Sequence, residues 1–399
     1  MSTEDNKAVK YLAICVTFMV CVTRLSMAAG QAANGIALLL AGYLWYKYKN
    51  TVSLTDEVRG YIKAYGVFVL LTIPSILFSA DPKTGVREFF NLWVWRYVVF
   101  IAIVFFIKRR DYLVNMLTAF LLVTGVDSLL TLVQVMGHMS KDGRGWGFGS
   151  NVLTLAGVLC MLLPVALVIL MDDGFEKRLK KAALFSTVGM IVGLLCNKSR
   201  GAWLTELIVV PVVVLSYVRK SVKYLLIFLI VAGGIAGYMS QSPQYTKRFQ
   251  AIVHSKRDRS VADRYLVWKS TRRMIRNHPV VGVGLGQFRK LYMKKYKYRR
   301  ERQNLPHSHN NFLQITAETG AAGATGLLYF IGYCLVTSIR NFLRKRNPYD
   351  ILVFTTVLGY LCLFGQIEYT LDNSSGMRIM WFLLANLLQM KEISRVCSG

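Results

Sequence analysis

Residues 151–171 read NVLTLAGVLCMLLPVALVILM, twenty-one consecutive positions without a charged side chain. A helix rises about 1.5 Å per residue, so this stretch covers ~31 Å, the hydrocarbon thickness of a bilayer. Working outward from it, runs of the same kind recur to both ends of the chain. Helices are predicted near 11–29, 33–47, 61–79, 91–107 and 112–136 before it. Six more are predicted near 183–197, 202–218, 224–240, 312–339, 351–370 and 378–390 after it. The 399 residues are 54% hydrophobic, with a mean hydropathy of +0.39. A soluble domain of this size would interrupt its apolar runs sooner. The expected fold is all-α and polytopic: about twelve transmembrane helices and one large, partly helical loop on the non-cytoplasmic side. The expected organisation is 1–240 for the first nine helices, 241–311 for the loop, and 312–399 for the last three helices and the tail.

The formal charge is +28, which in a soluble chain would suggest nucleic acid. Here the basic residues lie between apolar spans, so membrane lipids, or phosphates carried by lipids, are the expected partners and nucleic acid is not. Connectors 47–60, 108–111, 172–182, 219–223 and 340–350 carry runs such as Lys108-Arg109-Arg110 and Arg344-Lys345-Arg346. The positive-inside rule then puts both termini in the cytoplasm. Met1–Lys10 runs directly into the first span, which is expected to stay as an uncleaved anchor. Six of the seven cysteines lie in or beside apolar spans and one in the tail. Neither a disulfide framework in the loop nor a CxxC metal site is expected.

The 241–311 loop departs from the charge rule, with 18 Lys and Arg against three acids. Long translocated loops are largely exempt from that rule. The excess reads either as a headgroup-facing surface or as a cleft for a polyanionic substrate. Within it, 263–277 (DRYLVWKSTRRMIRN) reads as an amphipathic helix able to lie on the membrane. Tyr265, Leu266, Trp268, Met274 and Ile275 form its apolar side, and Arg264, Lys269, Arg272, Arg273 and Arg276 its charged side. Gly282, Gly284 and Gly286 then read as a flexible turn without the strand a dinucleotide site requires.

All five histidines, His138, His254, His278, His307 and His309, fall on the predicted outer side. His309 opens the tenth span with Asn310 and Asn311. A helix N-terminus and nearby arginines disfavour imidazolium, so this histidine is expected to stay neutral, as a general base must. Capping of the helix is the plain alternative. Arg200 lies in the short turn 197–201 (NKSRG), where Ser199 can cap the next helix and the guanidinium can take phosphate. Arg264 has the same capacity. Arg96 lies about one turn inside its span, where an ionisable group is costly and suggests function. Snorkelling to headgroups would explain all three arginines as well. Glu368 and Asp372, four apart, are expected to share a helix face and could orient an arginine or a substrate hydroxyl; simple local pairing is the alternative, more so for Glu368 than for Asp372. In 143–150 (GRGWGFGS) the glycines would admit a ligand close to the backbone, beside Arg144. The chain has no DxD, HExxH, GxSxG or Walker sequence, so metal-dependent nucleotide-sugar transfer, zinc hydrolysis and direct use of ATP lack their parts.

Taken in order, these motifs resemble the O-antigen ligase family of bacterial envelopes. Ser199-Arg200-Gly201-Ala202-Trp203 looks like its short arginine motif. Arg264 with Trp268, leading to His278-Pro279 and Gly282-Val283-Gly284, looks like its second arginine segment. His309-Asn310, followed by Gly320 and Gly323, looks like its histidine motif. The architecture corresponds over nearly the whole chain and the motifs over about a tenth of it; O-antigen polymerases and pilin-glycosylating transferases share part of the pattern. The resemblance implies an inner-membrane glycosyltransferase with a periplasmic site. It would move preassembled O-antigen from undecaprenyl pyrophosphate to a sugar hydroxyl of lipid A–core, without metal, cofactor or ATP. It also implies His309 as base and Arg200 and Arg264 as catalytic pyrophosphate ligands; Arg144, Arg96, Trp268 and Asp372 are expected as further substrate contacts. A repeat-unit polymerase and a non-catalytic transporter of lipid-linked glycan are the alternatives.

Overall fold

The computed structural model describes every residue except 1–2, 50–52, 141, 247, 249–258, 302–303 and 399. His254 therefore lies outside the described residues. Among the described residues there are helices and no strands. Ten helices are long and apolar enough to cross a membrane: α2 (Met27–Tyr48), α3 (Asp56–Leu77), α4 (Pro82–Phe106), α5 (Arg110–Met136), α6 (Val152–Met171), α7 (Lys177–Asn197), α8 (Arg200–Val218), α9 (Lys223–Gln241), α11 (Asn311–Lys345) and α12 (Pro348–Gln366). Two more join the same bundle, α1 (Thr3–Val22) against α2 and α5, and α13 (Ser374–Ser398) against α4 and α12. The protein is an all-α polytopic membrane protein. The remaining long helix, α10 (Arg259–Asn277), belongs to the large loop.

The helix ends follow local chemistry more than the apolar runs do. The first two spans meet at residues 23–26 rather than near residue 30, because Ser26 caps α2 by accepting the Ala29 N–H at 3.2 Å. In α4 the ladder loosens into a π-helical stretch at Phe90–Trp95 and turns at Arg96. Tilting a carbonyl out of register there frees it for tertiary partners: Trp95 O accepts from Asn34 Nδ2 at 2.9 Å.

Side-chain contacts sort the connectors into two sets at opposite ends of the bundle. At one end Arg24 reaches Trp146 O, Arg144 reaches Asn197 O, Trp268 reaches Ser308 O, Asn310 reaches Gln366 and Arg96 reaches Leu371 O. At the other, Arg110 meets Glu176, Lys220 meets Asp172 and Lys391 meets Glu57 and Asp350. Alternate loops thus share an end, as the charge pattern required.

The large loop does not lie on the membrane as a lone amphipathic helix. Val267 and Met274 of α10 pack with Val283, Phe288, Tyr292, Tyr296 and Ala317 into a small core of their own, while Tyr265 stays 62% exposed. Nor is the glycine-rich turn loose. Val283 N donates to Ala317 O, Gly284 N to Glu318 O and Ala321 N to Pro279 O, all at 2.8–2.9 Å. α11 breaks to allow this: Gly320 takes φ 64°, and a Cβ there would stand 2.1 Å from Val280 O. Only glycine meets both demands. The break docks the basic module onto the helix that follows His309.

Candidate active site

Three consecutive residues, His309-Asn310-Asn311, divide the work of building the site. Asn310 is the true cap of α11; its Oδ1 accepts Leu313 N at 2.9 Å and its Nδ2 donates to Gln366 O at 3.1 Å. Asn311 holds the turn after α12: Oδ1 accepts Thr370 N at 2.8 Å and Nδ2 donates to Leu361 O at 3.1 Å. His309 is left to other tasks, which removes capping as its explanation. It is held at φ 52°, a left-handed conformation that costs a non-glycine residue about 1–2 kcal/mol and is tolerated where the surroundings enforce it.

Glu368 is the partner that this arrangement delivers. Its Oε2 lies 3.0 Å from His309 Nδ1 and 3.9 Å from Arg264 Nη2, and its Oε1 lies 3.5 Å from His307 Nε2. The chain between α12 and α13 is not a continuous helix. It passes through an irregular turn and a 3-10 segment at Thr370–Asp372, so Glu368 and Asp372 do not share a helix face. Of the two readings of Glu368, local pairing gives way to contact with an arginine, and the carboxylate joins three residues distant in sequence. Burial pushes its carboxyl up, but the hydrogen bond and charge of His309, helped by His307 and Arg264, outweigh burial and hold it below its ordinary value. Burial, then the charge of His309, lowers the His307 imidazole to about 4, so it is neutral near pH 7. When the His309 ring is neutral, a carboxylate on Nδ1 favours the tautomer with the proton there and Nε2 as the acceptor.

A second group of cations surrounds the turn between α7 and α8. The 137–151 loop is pinned beneath: Gln134 Oε1 accepts Trp146 N and Gly147 N, and Asp127 takes Phe148 N and, at 2.6 Å, Arg24 Nε. Of the glycines expected to admit a ligand, Gly145 and Gly147 serve this packing. A Cβ on Gly147 (φ 71°) would stand 2.0 Å from Asp127 Oδ1. The loop presents Arg144, whose Nε donates to Asn197 O at 2.9 Å. Arg248 Nη1 donates to the next carbonyl, Lys198 O, at 3.2 Å. Ser199 caps α8 and Arg200 opens it, half-buried. Burial first, then the charges of Arg248, Arg200 and Arg264 working against Asp142, lower the Arg144 guanidinium to about 10. Arg144 therefore feels the charges of Arg200 and Arg264, and Arg264 in turn stands 3.9 Å from Glu368, the partner of His309.

The other expected contacts hold the frame. Trp268 Nε1 donates to Ser308 O at 2.8 Å, tying α10 to the histidine loop. Arg96, 2% exposed, donates from Nη1 to Leu371 O at 2.7 Å and lies 3.4 Å from Asp372, whose side chain is half exposed. His138 and His278 lie outside the cluster, so facing one side of the membrane did not make every histidine part of a site. His307, Lys198 and Arg248 were not anticipated as site residues. A histidine two residues before His309 was the one available sign of the first; nothing local marks the other two. His307, His309 and Glu368 bring three ligand atoms within 4.8 Å of one another, a geometry able to hold a cation. The Arg264 charge on the same carboxylate works against one.

Residues 185–328 match the sequence model of the O-antigen ligase family. That segment includes Arg200, Arg264, His307 and His309; Arg144 and Glu368 lie on either side of it. No curated protein matches the chain.

Proposed function

From the match of residues 185–328 to the O-antigen ligase family, we propose that this chain is an O-antigen ligase. It would transfer a preassembled glycan from undecaprenyl pyrophosphate to a sugar hydroxyl of lipid A–core at the periplasmic face of the inner membrane, with both termini cytoplasmic. The observation that carries the reading is the junction at Glu368, which sets His309 beside Arg264 and the arginines around it.

In this reaction the acceptor oxygen forms a bond to the anomeric carbon. The bond from that carbon to the carrier's phosphate oxygen breaks, and the diphosphate leaves with the electron pair. His309 Nε2 takes the hydroxyl proton while Glu368 holds the ring and stabilises the imidazolium that forms. Arg200, Arg264 and Arg144 meet the charge that grows on the leaving diphosphate, a role often filled by a divalent cation. Attack opposite the leaving group inverts the anomeric centre. Arg96 and Asp372 would steady the turn that carries Glu368, and Trp268 the loop that carries His309.

A polymerase would use the same donor chemistry, with a second carrier-linked glycan as the acceptor. Purified protein given lipid-linked glycan and lipid A–core, with chelator and no nucleotide, is expected to yield glycan attached to the core. Longer carrier-linked glycan would move the assignment to the polymerase. No transfer at all, with both substrates bound, would leave a non-catalytic carrier protein.

A further inference from the structure

Lys198 occupies an unusual position. α7 and α8 are joined by two residues, so the chain must reverse at Lys198, which takes φ 53°. Glycine or asparagine would meet that demand at less cost. The side chain does not escape to water: the residue is 3% exposed, and its ammonium donates to Gln244 Oε1 at 2.6 Å, 5.7 Å from the Tyr245 ring centroid. Among the described residues no carboxylate stands within salt-bridge distance of it. Two guanidinium groups bracket the same turn, Arg144 on the carbonyl of Asn197 and Arg248 on the carbonyl of Lys198 itself. The acid whose charge reaches it, Asp142, is exposed and shared with Arg144 at 3.9 Å, so burying the ammonium beside two guanidinium groups stays expensive unless a further anion visits.

The location says which part of an anionic lipid would arrive there. Gln244 and Tyr245 follow α9 directly, and α9 buries none of its residues and rests on the bundle through α8. Lys198 thus lies at the lipid-facing edge of the basic region, whereas Arg264 is attached to the histidine–glutamate centre within. A diphosphate on a long apolar tail must keep that tail in the bilayer. Its phosphate nearer the tail then falls at the edge, and its phosphate nearer the sugar falls beside His309.

We propose that Lys198, with Arg144 and Arg248, forms a second phosphate subsite that takes the lipid-proximal phosphate of the carrier, distinct from the one at Arg200 and Arg264. This rests on the reading of the protein as a lipid-diphosphate transferase.

The test compares inorganic pyrophosphate and orthophosphate as ligands of the purified full-length protein. Thermal protection and inhibition of transfer are both read, in wild type, Lys198→Gln and Lys198→Arg. Wild type is expected to favour pyrophosphate. Lys198→Gln should weaken pyrophosphate about tenfold, the loss of one charge-assisted contact, with orthophosphate little changed. It should raise KM for the lipid donor more than it lowers kcat, and Lys198→Arg should restore most of both. Lys198→Asn, suited to the left-handed backbone, replaces the glutamine variant if that one does not fold. Equal pyrophosphate binding in wild type and variant would overturn the proposal. So would a variant that loses only its affinity for phosphatidylglycerol vesicles, because the site would then serve bilayer headgroups. If wild type transfers no glycan yet pyrophosphate protects it through Lys198, the functional reading falls and the diphosphate subsite stands.

Discussion

The bundle carries a buried charge cluster at each end, and the two are built on opposite principles. At the end away from the histidines, Lys391 (1% exposed) contacts both Glu57 and Asp350, and Arg395 meets Glu57 at 2.8 Å. Two bases and two acids on α3, α12 and α13 close on one another. At the histidine end Arg144, Lys198, Arg200, Arg248 and Arg264 gather from loops and the first turns of helices, with Glu368 and Asp142 among the acids beside them in the described residues. A balanced cluster on regular helices clamps the bundle, and removing one partner strands the rest in a medium that cannot solvate them. A cation-rich cluster on loops is costly in the resting protein and repaid by an anionic ligand.

This contrast can be broken first at His309. His309→Ala is expected to lower transfer by ~10²–10⁴-fold, the range for loss of a general base, while the detergent-solubilised protein keeps its unfolding temperature. Transfer that persists in that variant would leave the cation-rich end without its chemistry. The next largest effect belongs to the other end. Lys391→Ala is expected to cost about 3–5 kcal/mol of stability, as for a broken buried pair, read as a lower unfolding midpoint, with transfer intact under conditions where the variant is folded. Loss of transfer in a folded Lys391→Ala protein would mean that the two ends are coupled. Third, Glu368→Gln should lower kcat by about 10–100-fold, as for loss of a partner that orients a ring, with KM for both substrates little changed. A change in KM alone would make Glu368 a substrate ligand instead.

The smallest effect is in pH. Glu301 is buried in the basic module, and burial, then the charge of Asp263, raises its carboxyl from 4.5 to about 7. The folded module therefore keeps a proton that the unfolded chain releases. Its contribution to stability is full below about 4.5 and lost as pH rises through about 7. Glu301→Gln should flatten that slope in thermal unfolding, while a slope unaltered by the substitution would place its origin elsewhere.

How far the site could be read from sequence depended on sequence distance. Arg200 and His309 sit within short motifs where a turn, a cap and a charge are neighbours in the chain, and the same is true of Arg264 with Trp268. Glu368 is 59 residues from His309, and its role depends on Asn311 gripping the turn that carries it. Periodicity alone suggested a helix there and so the wrong partner. Lys198 was visible only as one more basic residue beside a span, because its meaning comes from Arg144 and from Gln244 with Arg248, arriving from two other segments. The loop helix and Met274 and Ile275 of its apolar side were recognised, but Val267 was not, and what this side packs on appears only once residues 283–296 fold back over it.

By itself the sequence determined that this chain lives in a bilayer as a bundle of helices, and which of its loops share an end. Hydrocarbon tolerates few other backbones, and apolar length and charge are local quantities. Only the tertiary structure decided which of many outer charges form a site. A break at Gly320, a turn held by Asn311 and a buried lysine depend on contacts between segments far apart in the chain, and those contacts exist only when the whole bundle has closed.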